Sequence, residues 1–125
     1  MAKILIVDDE DRVRKLYGDI LSAEGFEVLL ADNGLDCMRL AVEEYPDLIL
    51  LDLIMPPPDG AETAQRLLEN DDTKNIPIIF LTSAITAEES QVETGQIGGR
   101  LFMSKSLRIG EVIKMVRKVL DAKHR

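Results

Sequence analysis

The sequence predicts an α/β protein in which a doubly wound, five-stranded parallel sheet is covered by five helices. Short apolar runs bounded by turn-forming residues alternate with longer segments of helical periodicity, which indicates successive βα units. The clearest run, Leu48–Leu51, lacks polar alternation and is therefore typical of a strand buried on both faces of a parallel sheet. Because Pro56, Pro57 and Pro58 follow it closely, neither strand nor helix can continue there.

The N-terminal half is predicted to contain the first three strands and two helices. The strands are Lys3–Val7, Phe26–Ala31 and the central run that ends at Asp52. Apolar residues at helical spacing mark the faces with which the two helices pack. They are Val13, Leu16, Tyr17, Ile20 and Leu21 in the first helix, and Leu35, Met38, Val42 and Tyr45 in the second.

The C-terminal half is predicted to contain two more strands and three helices. The strands are Pro77–Leu81 and Leu101–Met103; the third helix begins near Ala61 with Ala64, Leu67 and Leu68 inward, and the fifth carries Ile109, Val112, Ile113, Val116 and Leu120. A fourth helix is predicted over Thr86–Gln96, where apolar residues are few. We expect Thr86–Gly99 to be the most mobile segment, since little burial offsets its ordering entropy.

Length and composition predict one soluble globular domain spanning residues 1–125. The chain is 46% hydrophobic and 30% charged, with no apolar run long enough for a membrane span and no signal peptide before the first strand. Its single cysteine, Cys37, fits a reducing cytoplasmic setting and the role of a small buried hydrophobe. The formal charge of −8 argues against nonspecific binding to nucleic acid or anionic membrane.

Reactive side chains follow four of the predicted strands, at the edge of the sheet where open α/β folds bind ligands. Asp8 and Asp9 follow the first strand, Asp52 ends the third, and Thr82 and Lys105 follow the fourth and fifth. Right-handed crossovers leave few topologies. The flavodoxin-like strand order 2-1-3-4-5 would place the first and third strands side by side and bring the three aspartates together.

This group of side chains predicts phosphoryl chemistry. Three adjacent carboxylates repel one another unless a cation intervenes, and Mg²⁺ prefers such oxygen ligands. Lys105 would add a positive charge for a phosphate, and Thr82 a hydroxyl donor. A carboxylate such as Asp52 can attack a metal-bound phosphoryl group and form an acyl phosphate.

The same residues resemble the receiver domains of bacterial response regulators, including the stand-alone chemotaxis regulator. Ile-Val-Asp8-Asp9 is similar to the acidic pair of that family, and the segment from Asp52 through Met-Pro to Asp59-Gly60 is similar to its phosphoacceptor strand and loop. Thr82 resembles the switch hydroxyl and Lys105 the lysine of the site. Phe102 matches the aromatic residue whose rotamer follows phosphorylation. The resemblance covers nearly the whole chain.

The resemblance implies a signalling switch rather than an enzyme acting on other molecules. Asp52 would take a phosphoryl group from a sensor histidine kinase or a histidine phosphotransfer protein. Mg²⁺ would be held by Asp9, Asp52 and the carbonyl of Ile54, with Asp8 acting through water. The surface built by the fourth helix, fifth strand and fifth helix would then change and bind a downstream target protein. No direct contact with nucleic acid and no membrane insertion are expected.

The sequence departs from the family pattern near three of these motifs. Ser106 stands where proline, preceded by a cis peptide bond, usually follows the lysine; Pro57 and Pro58 stiffen the acceptor loop; Ser83 replaces a commoner alanine. A cis bond before a residue other than proline costs about 2.5–4 kcal/mol. We therefore predict a trans Lys105–Ser106 bond, with Lys105 still reaching the acidic cluster, and Ser106 is also a candidate N-cap for the last helix.

Three alternatives remain open from the sequence. Asp8 and Asp9 could merely cap the first helix. A Mg²⁺-dependent phosphohydrolase with an aspartate nucleophile would need a similar acidic site, and sustained turnover of a phosphate ester would favour it. A scaffold with a vestigial site would be favoured by failure to bind Mg²⁺.

Overall fold

The computed structural model describes residues 1–84, 96–97 and 100–123, which include four helices and six strands. The strands are β1 (Lys3–Val7), β2 (Glu27–Ala31), β3 (Leu48–Asp52), β4 (Ile78–Thr82), β5 (Gln96–Ile97) and β6 (Arg100–Ser104). The helices are α1 (Asp11–Ala23), α2 (Gly34–Glu44), α3 (Gly60–Glu69) and α4 (Ile109–Lys123). None of these helices is both long and apolar enough to cross a bilayer.

The sheet has the order β2-β1-β3-β4-β6-β5. Its first five strands are parallel, so the predicted order 2-1-3-4-5 is confirmed, with β6 as the predicted fifth strand. The two-residue strand β5 was not predicted and pairs antiparallel with β6. Gln96 lies in β5 rather than in a helix. The rest of the predicted helix Thr86–Gln96 lies outside the described residues. So does most of the segment Thr86–Gly99, which was expected to be mobile.

Two apolar layers hold the helices on the sheet because the central strands alternate their buried side chains between its faces. All five residues of β3 are buried, as the unbroken apolar run predicts. Leu48 and Leu50 join a cluster with residues of α1 and α4, whereas Ile49 and Leu51 join one with residues of α2 and α3. Asp52 therefore ends a strand that the core fixes from both sides.

The predicted packing face of α2 is largely wrong, since only Met38 among its four residues packs against the core, and it is partly buried. Leu35 is 62% exposed, and Val42 and Tyr45 are about half exposed. The buried residues of α2 are the small Gly34, Cys37 and Ala41, which repeat with the same helical period on another face. Small side chains allow the helix to approach α3 and the sheet closely, so periodicity alone does not reveal which of two stripes faces inward.

Three other apolar residues that were assigned to packing faces, Leu16, Leu68 and Ile109, are also half exposed. Of the other residues predicted to face the core from α1 and α4, five are buried and three are partly buried. The buried ones are Tyr17, Leu21, Val112, Val116 and Leu120, and the partly buried ones are Val13, Ile20 and Ile113. Cys37 is fully buried as expected, and burial raises the pKa of its thiol to about 12. Its thiolate is therefore scarce at neutral pH.

Candidate active site

The register of the sheet brings the acidic residues together. Val7 in β1 lies opposite Leu51 in β3, so Asp8 follows β1 at the level where Asp52 ends β3. Carboxylate oxygens of Asp8, Asp9 and Asp52 all lie within 4.8 Å of one another. Asp8 and Asp52 are buried, while Asp9 is exposed at the mouth of the cluster.

Asp8 is held by its own loop and is not a helix cap. The backbone N–H of Glu10 donates to Asp8 Oδ1 at 2.9 Å, and Arg14 donates to the Asp8 carbonyl at 2.8 Å. Helix α1 begins at Asp11 with Glu10 in the N-cap position and no side-chain cap. The alternative in which Asp8 and Asp9 serve only to cap this helix is therefore excluded.

Lys105 reaches into the acidic cluster. Its Nζ lies 2.9 Å from Asp8 Oδ2, 3.2 Å from Asp52 Oδ1 and 3.8 Å from Glu10 Oε1. Burial acts to lower the pKa of the ammonium, but the close negative carboxylates of Asp8 and Asp52 outweigh it and raise that pKa. Lys105 therefore stays charged and partly neutralises the two buried carboxylates.

The Asp52 carboxyl group is hard to ionise in this setting. Burial, followed by the neighbouring charge of Asp8, raises its pKa to about 6, although Lys105 acts in the opposite direction. At neutral pH most Asp52 side chains are thus ionised and able to act as a nucleophile. They remain poorly solvated, however, so a cation would stabilise them.

The loop after β3 is anchored directly beneath Asp52. Asp59 caps α3 by accepting from the N–H of Glu62 at 2.8 Å, and the N–H of Gly60 donates to the Leu53 carbonyl at 3.0 Å. A Cβ on Gly60 would lie 2.3 Å from the Asp52 carbonyl oxygen, so only glycine allows this approach. The first turn of α3 is therefore packed on the backbone of Asp52.

Thr82 ends β4, the strand next to β3, and Phe102 lies on β6, the strand on the far side of β4. Leu81, the residue before Thr82, is opposite Asp52, and the Thr82 hydroxyl accepts from the N–H of Ala84 at 3.0 Å. The half-buried ring of Phe102 stacks on Phe80, with ring centroids 5.3 Å apart. Thr82 is thus at the edge of the site, and Phe102 lies within the layer behind it.

The residues fit a divalent cation. Asp8 Oδ2 is buried, and no donor in the described part of the chain meets it with hydrogen-bond geometry, so its contact with Lys105 is an ion pair alone. Three carboxylates supply the hard oxygen ligands that Mg²⁺ prefers. Ile54, two residues after Asp52, is 74% exposed at the same edge of the sheet.

Two residues of the site were missed by sequence reasoning. Glu10 adds a fourth carboxylate near Lys105, and Arg14 fixes the Asp8 backbone. Charged residues at the start of a helix are usually solvated, and the only signal was their closeness to the acidic pair along the chain. Arg14 contacts a residue six positions earlier, which no simple spacing rule predicts.

The peptide bond after Lys105 is trans, as predicted, since the only cis bond in the described residues joins Pro57 to Pro58. Ser106 is not the N-cap expected from the sequence, because α4 begins three residues later, at Ile109. The N–H of Ser106 instead donates to the Ser104 hydroxyl at 3.0 Å.

A buried acid that ends a central strand, beside an acidic pair and a lysine, defines a class of phosphoacceptor domains. The sequence model of the response regulator receiver domain matches residues 4–117, and the chain belongs to this family of signalling domains. It is 32% identical over 118 residues to the polar-differentiation response regulator DivK of Brucella anthropi, a match that spans 94% of each protein.

Solved structures agree with this assignment. The chemotaxis protein CheY4 of Vibrio cholerae superposes with a TM-score of 0.81 at 28% identity, covering 95% of this chain and 98% of that one. The receiver domain of sensor histidine kinase PA1611 from Pseudomonas aeruginosa, solved with a magnesium ion in its active-site cleft, gives a TM-score of 0.80. At 21% identity, over 96% of this chain and 98% of that one, this likeness concerns the fold alone.

Proposed function

We propose that Asp52 is the phosphoacceptor of this receiver domain. The observation that carries the proposal is the position of its carboxylate, which is buried at the end of the central strand and 3.2 Å from the Lys105 ammonium. Among the three clustered aspartates, Asp8 is occupied by Glu10 and Lys105, and Asp9 is exposed. Asp52 combines burial, a raised pKa and a cationic neighbour.

The reaction is a transfer between two acceptors. A carboxylate oxygen of Asp52 attacks the phosphorus of a phosphohistidine, the new O–P bond forms as the P–N bond breaks, and the imidazole leaves with the electron pair and takes up a proton. The product is an acyl phosphate on Asp52. Lys105 is placed to neutralise an equatorial oxygen of the transferring group, and Thr82 lies at the edge of the site as a hydroxyl donor.

We propose that the cation is Mg²⁺. Asp9, Asp52 and the Ile54 carbonyl would be its direct protein ligands, with Asp8 acting through a water molecule. When bound, the ion supplies positive charge that offsets the acidic cluster and the incoming phosphoryl oxygens. The support comes from the three convergent carboxylates and from Asp8 Oδ2, which lacks a hydrogen-bond donor among the described residues.

Receiver domains exchange phosphoryl groups with histidine kinases or phosphotransfer proteins and act on downstream targets. We propose that residues 1–125 form one such domain and work in the cytoplasm, where a free buried thiol such as Cys37 is stable.

Thr82 and Phe102 would couple phosphorylation to the surface near β6 and α4, where a target protein binds. The chain would catalyse only its own phosphorylation and dephosphorylation.

Intact-mass measurement after incubation with acetyl phosphate and Mg²⁺ tests the proposal. We expect one added phosphoryl group in the wild type and none in Asp52→Asn. Asp47→Asn is a suitable control, because Asp47 precedes the same strand at the opposite end and its carboxylate accepts from the Lys3 N–H. Modification that persists in Asp52→Asn would contradict the assignment.

The same samples separate the two rival functions. A phosphohydrolase would release phosphate from a simple phosphate ester over many turnovers, whereas a receiver would stop at one equivalent on the protein. A vestigial scaffold would show neither Mg²⁺ binding in a calorimetric titration nor a mass increase. We expect Mg²⁺ binding, stoichiometric labelling and no sustained ester hydrolysis.

A further inference from the structure

The turn that carries Lys105 is built differently from the proline-containing turn that the family pattern implies. Strand β6 ends at Ser104, which is fully buried and opposite Thr82 in the sheet. The next residue, Lys105, directs its side chain into the acidic cluster, while Ser106 and Leu107 lead towards α4. What fixes the lysine backbone in this short segment determines where its ammonium lies.

Among the described residues, three hydrogen bonds hold the backbone of this turn. The N–H of Lys105 donates to the Thr82 carbonyl at 2.9 Å and continues the sheet for one more residue. The N–H of Ser106 donates to the Ser104 hydroxyl at 3.0 Å, and the N–H of Leu107 donates to the Ser104 carbonyl at 3.2 Å. The backbone on both sides of Lys105 is thus tied to strand ends that the core holds in place.

The bond from Ser106 to Ser104 depends on the residue types at both positions. Proline at position 106 would have no N–H and could not donate this bond, whereas any other residue there could. The acceptor is a side chain whose residue is wholly buried, so water does not compete for it. Serine hydroxyls accept from the N–H two residues later in recurrent local turns.

We infer that the Ser104 hydroxyl is a positioning group for Lys105, replacing with a side-chain hydrogen bond the restraint that a proline would give. The inference rests on the proposed role of Lys105 towards the phosphoryl group. Ser104 does not touch the reacting atoms. Its effect passes through the lysine backbone, which sets how often the ammonium lies between Asp8 and Asp52.

Positioning and general structural support predict different results. A looser lysine should slow phosphorylation, because the charge that meets the transferring oxygens is less often in place. It should not weaken Mg²⁺ binding, since the proposed ligands lie on β1, β3 and their loops and Lys105 only competes with the ion for the same carboxylates. A variant with a distorted site would show both slower phosphorylation and weaker Mg²⁺ binding.

The experiment compares phosphorylation rates with acetyl phosphate and Mg²⁺ affinities for Ser104→Ala, Ser104→Thr and Ser106→Ala. Ser104→Ala should slow phosphorylation about fivefold, the value of one modest net hydrogen bond. Its Mg²⁺ affinity should be unchanged or slightly increased. Ser104→Thr keeps the hydroxyl and should restore the rate, while Ser106→Ala keeps the backbone N–H and should behave as wild type.

A wild-type rate for Ser104→Ala would overturn the inference, as would a parallel loss of rate and Mg²⁺ affinity that threonine does not restore. Ser104→Cys, similar in size with only a weak acceptor, gives the same comparison if the alanine variant does not fold. A Lys105→Met variant separates the failure of the Ser104 inference from the failure of the proposed role of Lys105. If that variant is phosphorylated normally, the role of Lys105 fails first, whereas a slow Lys105→Met beside a normal Ser104→Ala overturns the Ser104 inference alone.

Discussion

The Asp52 carboxylate is buried and has a raised pKa because the apolar core fixes its position at the end of β3. Four apolar residues before it are fully buried, so the strand cannot shift to expose the acid. Position and chemistry of this residue could be predicted from the sequence, since strand ends and carboxylates are both visible there. Two contacts of the site could not be predicted, because they depend on side-chain rotamers. They are the ion pair between Lys105 and Glu10 and the hydrogen bond from Arg14 to the Asp8 carbonyl.

Replacement of Asp52 by asparagine should stabilise the protein at neutral pH when Mg²⁺ is absent. Burial raises the pKa of Asp52 to about 6 from a usual 3.8, so the folded state binds more protons between these values. The stability from this group is complete below about pH 4 and is lost as the pH rises through about 6. The asparagine side chain cannot ionise, and the gain at pH 7 should be on the order of 1–3 kcal/mol, since solvent at the mouth of the site screens part of the effect.

Urea unfolding with a chelator, at several pH values between 4 and 7, measures this difference. The gain should shrink towards zero at the acidic end, where Asp52 is protonated in the folded state and is becoming protonated in the unfolded state. Asp19→Asn is a control, because Asp19 is an exposed carboxylate on α1 that pairs only with Lys15 in the described structure. Equal stability of wild type and Asp52→Asn at pH 7 would show that the site does not strain this carboxylate.

The two members of the acidic pair should differ in their contribution to Mg²⁺ binding. Asp9 is exposed at the mouth of the cluster, whereas buried Asp8 is already paired with Lys105. Asp9→Asn should therefore weaken binding by about tenfold or more, and Asp8→Asn by less, because Asp8 is expected to act through water. Calorimetric titration measures both, and equal losses would count against this division of roles.

At the scale of the elements, the helices were predicted better than the faces they bury. Cys37 and Ala41 are inward on α2 while Leu35 and Val42 are exposed, because close packing favours the smaller stripe. The pattern of hydrophobic residues along the chain does not show which face of a helix is buried. Glycines do carry some of it, since Gly60 begins α3 where the backbone of Asp52 leaves no space for a side chain.

Gly60 and Gly110 provide a matched pair that tests this packing. A methyl group on Gly60 would meet backbone atoms of Asp52 and Leu53, whereas one on Gly110 in α4 would meet nothing within 4 Å. Gly60→Ala should destabilise the fold by about 1–3 kcal/mol through overpacking and also slow phosphorylation. Gly110→Ala should stabilise it by up to about 1 kcal/mol.

Denaturant midpoints of the two variants, measured beside the wild type, check this prediction. The loss in Gly60→Ala should appear with an unchanged dependence on denaturant, which indicates the same folded surface. A neutral Gly60→Ala would mean that α3 can move away from Asp52 without cost. The acceptor loop would then be less firmly anchored than the contacts indicate.

At the scale of the whole molecule, alternation of apolar runs and helical segments predicted a parallel sheet but did not by itself choose the strand order. Right-handed crossovers leave few arrangements, and the flavodoxin-like one brings Asp8 beside Asp52. The short strand β5 could not be predicted, because two residues give no periodicity. The trans bond after Lys105 was predicted from the energetic cost of a cis bond. The hydrogen bond from Ser106 to the Ser104 hydroxyl could not be predicted, because it depends on the buried position of Ser104.

The central claim is that the phosphoryl group resides on Asp52 and on no other acid of the cluster. Borohydride reduction tests it most directly, because it converts an acyl phosphate on aspartate to homoserine and marks the residue permanently. After phosphorylation with acetyl phosphate and Mg²⁺, reduction and peptide mapping should find homoserine at position 52. Homoserine at position 8 or 9, or none in a sample whose intact mass shows the added phosphoryl group, would contradict the account.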